Sequence, residues 1–421
     1  MGQQSAFLGR IDAPCGVHAA DWQHHMTEII VLGAGMVGVS TALALQAKGH
    51  SVTLLDRRGP GEETSYGNAG MIQAEAVEPY PLPLDVKTLW SIATGRTNDV
   101  VWRFKDLPSW LVPLLGYARS SLPTGYKANI APVWSKMILS ATDDHAPLIA
   151  ASGAEAIISR RGYRKAYRTE EGLAKAVATA ERYRAQYGVP STVMTGSELS
   201  QAEPNLKTQL AGAVHWTGSW FCEDPGGLVR RYADLFMARG GSMVLGDAMS
   251  LERAGAGWKV QSNNGPLTAG RVVVCLGPWS PALLARFGHA IPMVLKRGYH
   301  RHFQIENGPD LPLYDVETGT FLSPMRRGLR VLTGAELTTL DGPPSMRQMD
   351  RSTAAARELF ALGEPVEADA WRGTRPFLPG MLPMIGPSDK NPGMWFNFGH
   401  GHQGFTLGPT SARILAAQMV R

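Results

Sequence analysis

The sequence predicts an α/β fold on three observations. Residues 28–32 (EIIVL) are a short apolar run suited to a strand buried on both faces. A glycine turn, Gly33-Ala34-Gly35-Met36-Val37-Gly38, follows at once and opens into VSTALALQAKG, whose apolar residues recur at helical spacing up to Gly49. Residues 51–55 (SVTLL) form a second apolar run that ends at Asp56. Strand, glycine turn, helix, strand and acid in this order make one βαβ unit.

Each part of that unit has a chemical reading. Gly33 permits the tight turn, Gly35 lets the backbone approach a pyrophosphate, and Gly38 lets helix and strand pack closely. The helix start at Met36 and Val37 points unsatisfied N–H groups at phosphates. Asp56 stands where a carboxylate accepts hydrogen bonds from a ribose diol, with Arg57 beside it. The unit therefore predicts dinucleotide binding. A second candidate, Gly255-Ala256-Gly257, lies between two strand-like segments and reads as a hairpin turn.

The fingerprint alone does not separate FAD from NAD. Thr64-Ser65-Tyr66-Gly67-Asn68-Ala69-Gly70 offers small residues and hydroxyls that allow close backbone approach to a large flat ligand. Near the C-terminus, Trp395-Phe396-Asn397-Phe398 runs into Gly399-His400-Gly401-His402-Gln403-Gly404, then into an apolar helix-like stretch up to Val420. A helix start there suits the pyrimidine edge of a flavin, where negative charge grows on reduction. An NAD-only dehydrogenase needs no distant second glycine loop, so FAD is the expected cofactor.

Composition bounds the rest. The chain has 421 residues, enough for two domains at roughly 100–200 residues each. Hydrophobic residues at 44% and charged residues at 18% are those of a folded globule. The apolar runs fall far short of the ~20 residues that span a bilayer, which excludes an integral helical membrane protein. Cys15, Cys222 and Cys275 form no CxxC pair, so a reducing cytoplasm is the expected location and no metal site is expected. The net charge of +5 comes without a Lys/Arg run, which argues against nucleic acid as partner and fits anionic ligands. Residues 1–25 have neither the basic start nor the apolar core of a signal peptide; they read as an extension outside the fold, which is expected to begin near Met26. Between Glu78 and Tyr126 the chain is rich in Pro and Trp (Trp90, Trp102, Trp110). That stretch reads as a buried domain edge or, alternatively, as a peripheral contact with the inner face of the plasma membrane.

GAGMVGVSTALALQAKGHSVTLLDRR, TSYGNAG, the strand VVVCLGPWS with Gly277, GTRPFLPGMLPMIG and FGHGHQGFTLGPTSARILA occur in this order. Together they resemble the FAD-dependent D-amino acid oxidase superfamily, most of all its bacterial D-amino acid dehydrogenase branch and glycine-oxidase-like and glyphosate-oxidoreductase-like relatives. The resemblance runs from about Met26 to the C-terminus. It implies a Rossmann-like FAD domain interleaved with an α+β substrate domain built on a mixed sheet. The expected division is 26–80, 136–150, 222–290 and 372–421 for FAD, and 81–135, 151–221 and 291–371 for substrate. It implies non-covalent FAD, because the Cys some relatives carry after the Arg-Pro motif is absent and TSYGNAG has no His.

The implied reaction is oxidation of an amino acid C–N bond by hydride transfer to flavin N5, followed by hydrolysis of the imine to a keto acid. The implied electron acceptor is a respiratory quinone or O2. Such a site mainly needs a cation for the substrate carboxylate, and the forked guanidinium of an Arg suits it best. Arg375, in Gly373-Thr374-Arg375-Pro376, is the expected clamp. In the oxidases a carboxylate-binding Arg follows a Pro in a segment like FLSPMRRGLRVLTGAE; here Met325 follows Pro324, and Arg326 is the candidate replacement. A second departure is Gly380, where the family motif usually has an acid. Tyr299 and His300, in the basic-Gly-Tyr strand, are expected to reach substrate or order water. His400 and His402 are expected at the flavin. Competing functions are a glycine or sarcosine-type oxidase, a dehydrogenase of an N-substituted or cyclic secondary amino acid, and a flavoprotein without turnover that serves as an electron-transfer subunit.

Overall fold

The computed structural model describes residues 27–83, 90, 94, 98 and 100–419; the expected extension and the start near Met26 lie outside the described residues. Strand Thr27–Leu32 sits centrally in a seven-stranded sheet. Its residues alternate between two cores: Ile29 and Val31 face one cluster, Ile30 and Leu32 the other, all fully buried. That is why the run is apolar without alternation. It pairs in parallel with Val52–Asp56 on one side and with residues 269–274 on the other. Residues 242–245 and the strand Met394–Phe398 extend the parallel core outward, and Met384–Pro387 closes one edge antiparallel.

One face of this sheet is covered by helices Met36–Ala47, Pro225–Ala238 and Gly404–Gln418, through Val39, Leu43, Tyr232, Phe236 and Leu415. The other is covered by a meander formed by the far end of Ser242–Ala254, strand Gly257–Ser262 and the near end of Gly265–Val274, through Leu251, Trp258 and Val260. Gly255-Ala256-Gly257 is the hairpin between the first two, as its sequence context predicts.

A ten-stranded mixed sheet makes up the second half. Its long strand Val294–Phe303 pairs antiparallel with Trp371–Phe377 and with Gly328–Leu332. The expected FAD boundary at 372 therefore falls inside a strand of this second sheet. The register Val294↔Phe377 to His300↔Trp371 holds that strand, and the chain returns to the first sheet only at Met384. Within the Pro- and Trp-rich stretch, Leu107–Ser120 is a continuous helix that carries Pro113 inside it. VVVCLGPWS stops being a strand at Val274; Gly277–Trp279 is a short 3-10 turn. No helix among the described residues is long and apolar enough to cross a membrane.

Candidate active site

A cavity of about 1330 Å³ runs between the two sheets, larger than the roughly 300–1,000 Å³ usual for a single small ligand. One end is built by the βαβ unit. Gly33 has φ +104°, and a Cβ there would lie 2.6 Å from the Cys275 carbonyl oxygen. Gly38 is tighter still: a Cβ would lie 1.7 Å from the Gly33 carbonyl oxygen. The helix Met36–Ala47 starts with no side-chain cap and no acid in its first turn, so its N-terminus is free to favour an anion. The Met36 N–H donates to Ser65 Oγ at 3.0 Å, which ties the TSYGNAG loop to that helix start. Asp56 accepts from the Ala34 N–H at 2.6 Å and the Arg58 N–H at 2.9 Å, while burial raises its pKa. Arg57 pairs with Glu63 and lies 4.3 Å over the Trp279 ring.

The C-terminal glycine loop walls the middle of the cavity. His400 and His402 have pKa values pushed down to about 3, His400 by burial and His402 by burial and then by Lys296, Arg375 and Lys165. Both are therefore neutral imidazoles at neutral pH. His400 Nε2, His402 Nε2 and Asn397 Oδ1 are buried without a partner among the described residues. Unpaired polar atoms along a cavity wall are what a ligand with many donors and acceptors satisfies.

The other end is aromatic and basic. Tyr80, Tyr117, Tyr163, Tyr314 and Phe321 line it, with Lys165, Lys296 and Arg375. Arg375 lies opposite Lys296 in the strand pairing. Its guanidinium crosses Gly298, where a Cβ would lie 2.6 Å from Nη2, so the missing side chain makes the room. Its Nη1 donates to the Gly334 carbonyl at 3.1 Å. Burial lowers its pKa against a smaller opposing effect of Tyr314, and no carboxylate among the described residues opposes that shift.

Most residues expected from the sequence meet at this cavity. Gly33, Gly35, Met36, Val37, Asp56, Arg57, Thr64, Ser65, Asn68, Ala69, Gly277, Gly399, His400, Gly401, His402, Gly404, Tyr299 and Arg375 all line it. Six do not. Arg326 sits at the outer turn of the hairpin Thr320–Met325/Gly328–Leu332, where it pairs with Glu223 at 2.6 Å and is half exposed, so it is no clamp. His300 is stacked beneath Trp371, ring centroids 4.8 Å apart, and Trp371 takes the cavity wall in its place. Tyr66 turns outward; its hydroxyl accepts from Arg327 and its carbonyl from Arg330. Gln403 is buried and donates to Gln73 Oε1 at 2.6 Å. Gly38 and Gly70 are packing positions; a Cβ at Gly70 would lie 2.1 Å from the Cys222 carbonyl oxygen. Tyr299 lines the cavity, but its hydroxyl donates to buried Glu336 and accepts from the Ser345 N–H, so it is not free to serve substrate. Cys275 is buried, and burial pushes its thiol up to about 12, so it is no nucleophile.

Sequence reasoning passed over Lys296 and Lys165. The signal for Lys296 was present: it stands two residues before Gly298, on the same face of a strand with a two-residue period. What turns that face toward a cavity is the pairing with Trp371–Phe377.

A glycine-cradled dinucleotide unit joined through one cavity to a cation-bearing aromatic chamber defines a dinucleotide-dependent oxidoreductase. The unpaired loop atoms and the cradle at Gly33 fit FAD. The family described as FAD dependent oxidoreductase matches residues 28–418, and the chain belongs to it; FAD is its cofactor. The chain is 30% identical to a D-amino acid dehydrogenase of Granulibacter bethesdensis, over 92% of this chain and 94% of that protein. It is 28% identical to a D-amino-acid oxidase of Bradyrhizobium diazoefficiens, over 92% and 94% respectively. Its fold is similar to that of glycine oxidase from Geobacillus kaustophilus, with TM-score 0.70, 19% identity, and 93% and 94% of the two chains covered.

Proposed function

We propose that this enzyme oxidises the C–N bond of a D-amino acid or a related amino acid and passes the electrons to a quinone or to O2. The observation that carries the reading is Arg375: a guanidinium in the cavity wall that no carboxylate among the described residues opposes. Its planar fork suits a substrate carboxylate held by two parallel bonds. The names of the curated relatives support the same substrate class.

FAD held by the glycine turn supplies a hydride acceptor for the substrate α-hydrogen. The protein's own part is to bind and orient. Arg375 holds the carboxylate, which fixes the α-carbon relative to the glycine-loop wall. Tyr117, Tyr314 and Phe321 displace water from the chamber. The neutral His402 accepts or donates a hydrogen bond without adding charge.

The test is spectroscopic. Purified protein is expected to be yellow, absorbing at about 450 nm, and to bleach anaerobically with D-amino acids. A panel of D- and L-amino acids, hydroxyprolines and N-alkyl glycines identifies the substrate class. Bleaching only by N-alkyl glycines would assign the secondary-amine alternative, and bleaching by none would sink the reading. Re-exposure of reduced enzyme to O2 or to a soluble quinone then names the acceptor.

A peripheral membrane contact is favoured by one surface. Leu111, Val112 and Leu115 of helix Leu107–Ser120 are exposed, at 41%, 70% and 62%, with Arg119 in its last turn, while Trp110 and Tyr117 of the same helix are buried. Co-sedimentation with anionic vesicles at low salt is the expected result; absence of binding rejects the contact.

A further inference from the structure

Charge at the substrate end of the cavity is not balanced by a single carboxylate. Lys165, Lys296 and Arg375 all line it. Lys165 lies 3.7 Å from the Glu75 carboxylate. That carboxylate is shared, since it also accepts from Gln73 Nε2 at 2.6 Å, Ser219 Oγ at 2.7 Å and the Tyr163 hydroxyl. Lys296 and Arg375 face one another as a cross-strand pair, with about 5 Å between Cβ atoms in such pairs. Around the Lys296 ammonium are the rings of Phe377 at 3.8 Å and Tyr117 at 4.9 Å. Those rings attract a cation but carry no negative charge to cancel it. His402 lies among all three cations and stays neutral.

One α-carboxylate offsets one of these charges and leaves another enclosed and uncompensated. Enclosed like charges side by side are costly unless an anion joins them. We propose that Lys296 is a specificity residue and that the substrate is an acidic amino acid: one carrying, besides the carboxylate bound by Arg375, a second carboxylate that Lys296 binds. This deepens the amino acid reading above and rests on it for turnover, but the binding preference can be measured separately.

Burial first, and the Arg375 charge second, push the Lys296 pKa down to about 8. The groups facing it are Arg375, the neutral His402 and the un-ionised phenol of Tyr117. Lys296 is charged below that pH and loses its charge above it. The preference for a second anion is therefore expected to be present at neutral pH and to fade as pH rises through about 8.

The experiment uses the FAD-loaded enzyme. Unreactive succinate and glutarate are titrated against propionate, read by perturbation of the flavin spectrum. The dicarboxylates are expected to bind about tenfold tighter or more, and the ratio to fall with rising pH; their own carboxylates stay ionised throughout. Lys296→Met is expected to reduce the ratio to near one, and Lys296→Arg to keep it. Anaerobic bleaching by D-aspartate, D-glutamate and N-(carboxymethyl)glycine is then expected to exceed that by D-alanine in kcat/KM. Equal binding of mono- and dicarboxylates by the unmodified enzyme overturns the inference, with no variant needed. So does a preference that survives in Lys296→Met. A dicarboxylate preference without bleaching by any amino acid would uphold the binding assignment and reject the reaction.

Discussion

Arg375→Ala is expected to raise KM for the amino acid substrate by about 30-fold to several thousand-fold, the equivalent of about 2–5 kcal/mol for truncating one partner of a buried charge pair. The enzyme should remain folded and yellow. Arg375 donates to the Gly334 carbonyl, and its burial is not offset by an acid. Removing such a cation relieves its desolvation, so the melting temperature should hold or rise. Arg375→Lys should recover only part of the loss, because a point charge lacks the fork that matches a carboxylate. Steady-state kinetics beside a thermal melt checks both halves. An unchanged KM would refute the clamp; a lost fold would show that the guanidinium is structural.

Gly38→Ala is expected to give protein that no longer retains FAD. The new Cβ would lie 1.7 Å from the Gly33 carbonyl oxygen, inside any van der Waals contact. Helix Met36–Ala47 and the glycine turn must then separate, and the turn is the part expected to meet the pyrophosphate. Overpacking of this kind costs on the order of 1–3 kcal/mol or more. The loss of colour on purification is the larger effect, because cradle geometry fails before the sheet does. Gly270→Ala is the control: nothing lies within 4 Å of its Cβ position, so colour and stability should be kept. A yellow Gly38→Ala protein with an ordinary melt would show that the turn is not the cradle.

The exposed face of helix Leu107–Ser120 and the chamber of Arg375 and Lys296 illustrate two scales of order. The first is a matter of which residues of one helix point outward. The second depends on strands distant in the chain that meet at His300↔Trp371 and Lys296↔Arg375. The same register puts the Trp371 ring over His300, which removes that histidine from the cavity. Arg326 fails for a related reason: the hairpin closing at Met325↔Gly328 aims its turn at Glu223 and solvent.

The sequence by itself determined the cofactor end. Strand Thr27–Leu32, the glycine turn, helix Met36–Ala47 and Asp56 are consecutive, and each is specified by local periodicity or by a backbone that only glycine adopts without strain. The C-terminal loop was legible for the same reason, because Gly399 and Gly401 have positive φ within one strand–loop–helix run. Tertiary structure alone decided the substrate end. Whether a cation is clamp, surface pair or specificity residue depends on its burial and on which opposite charge the fold brings near. Arg326 finds Glu223, while among the described residues no carboxylate pairs with Arg375 or Lys296. Neither burial nor long-range register is written in the spacing of residues along the chain.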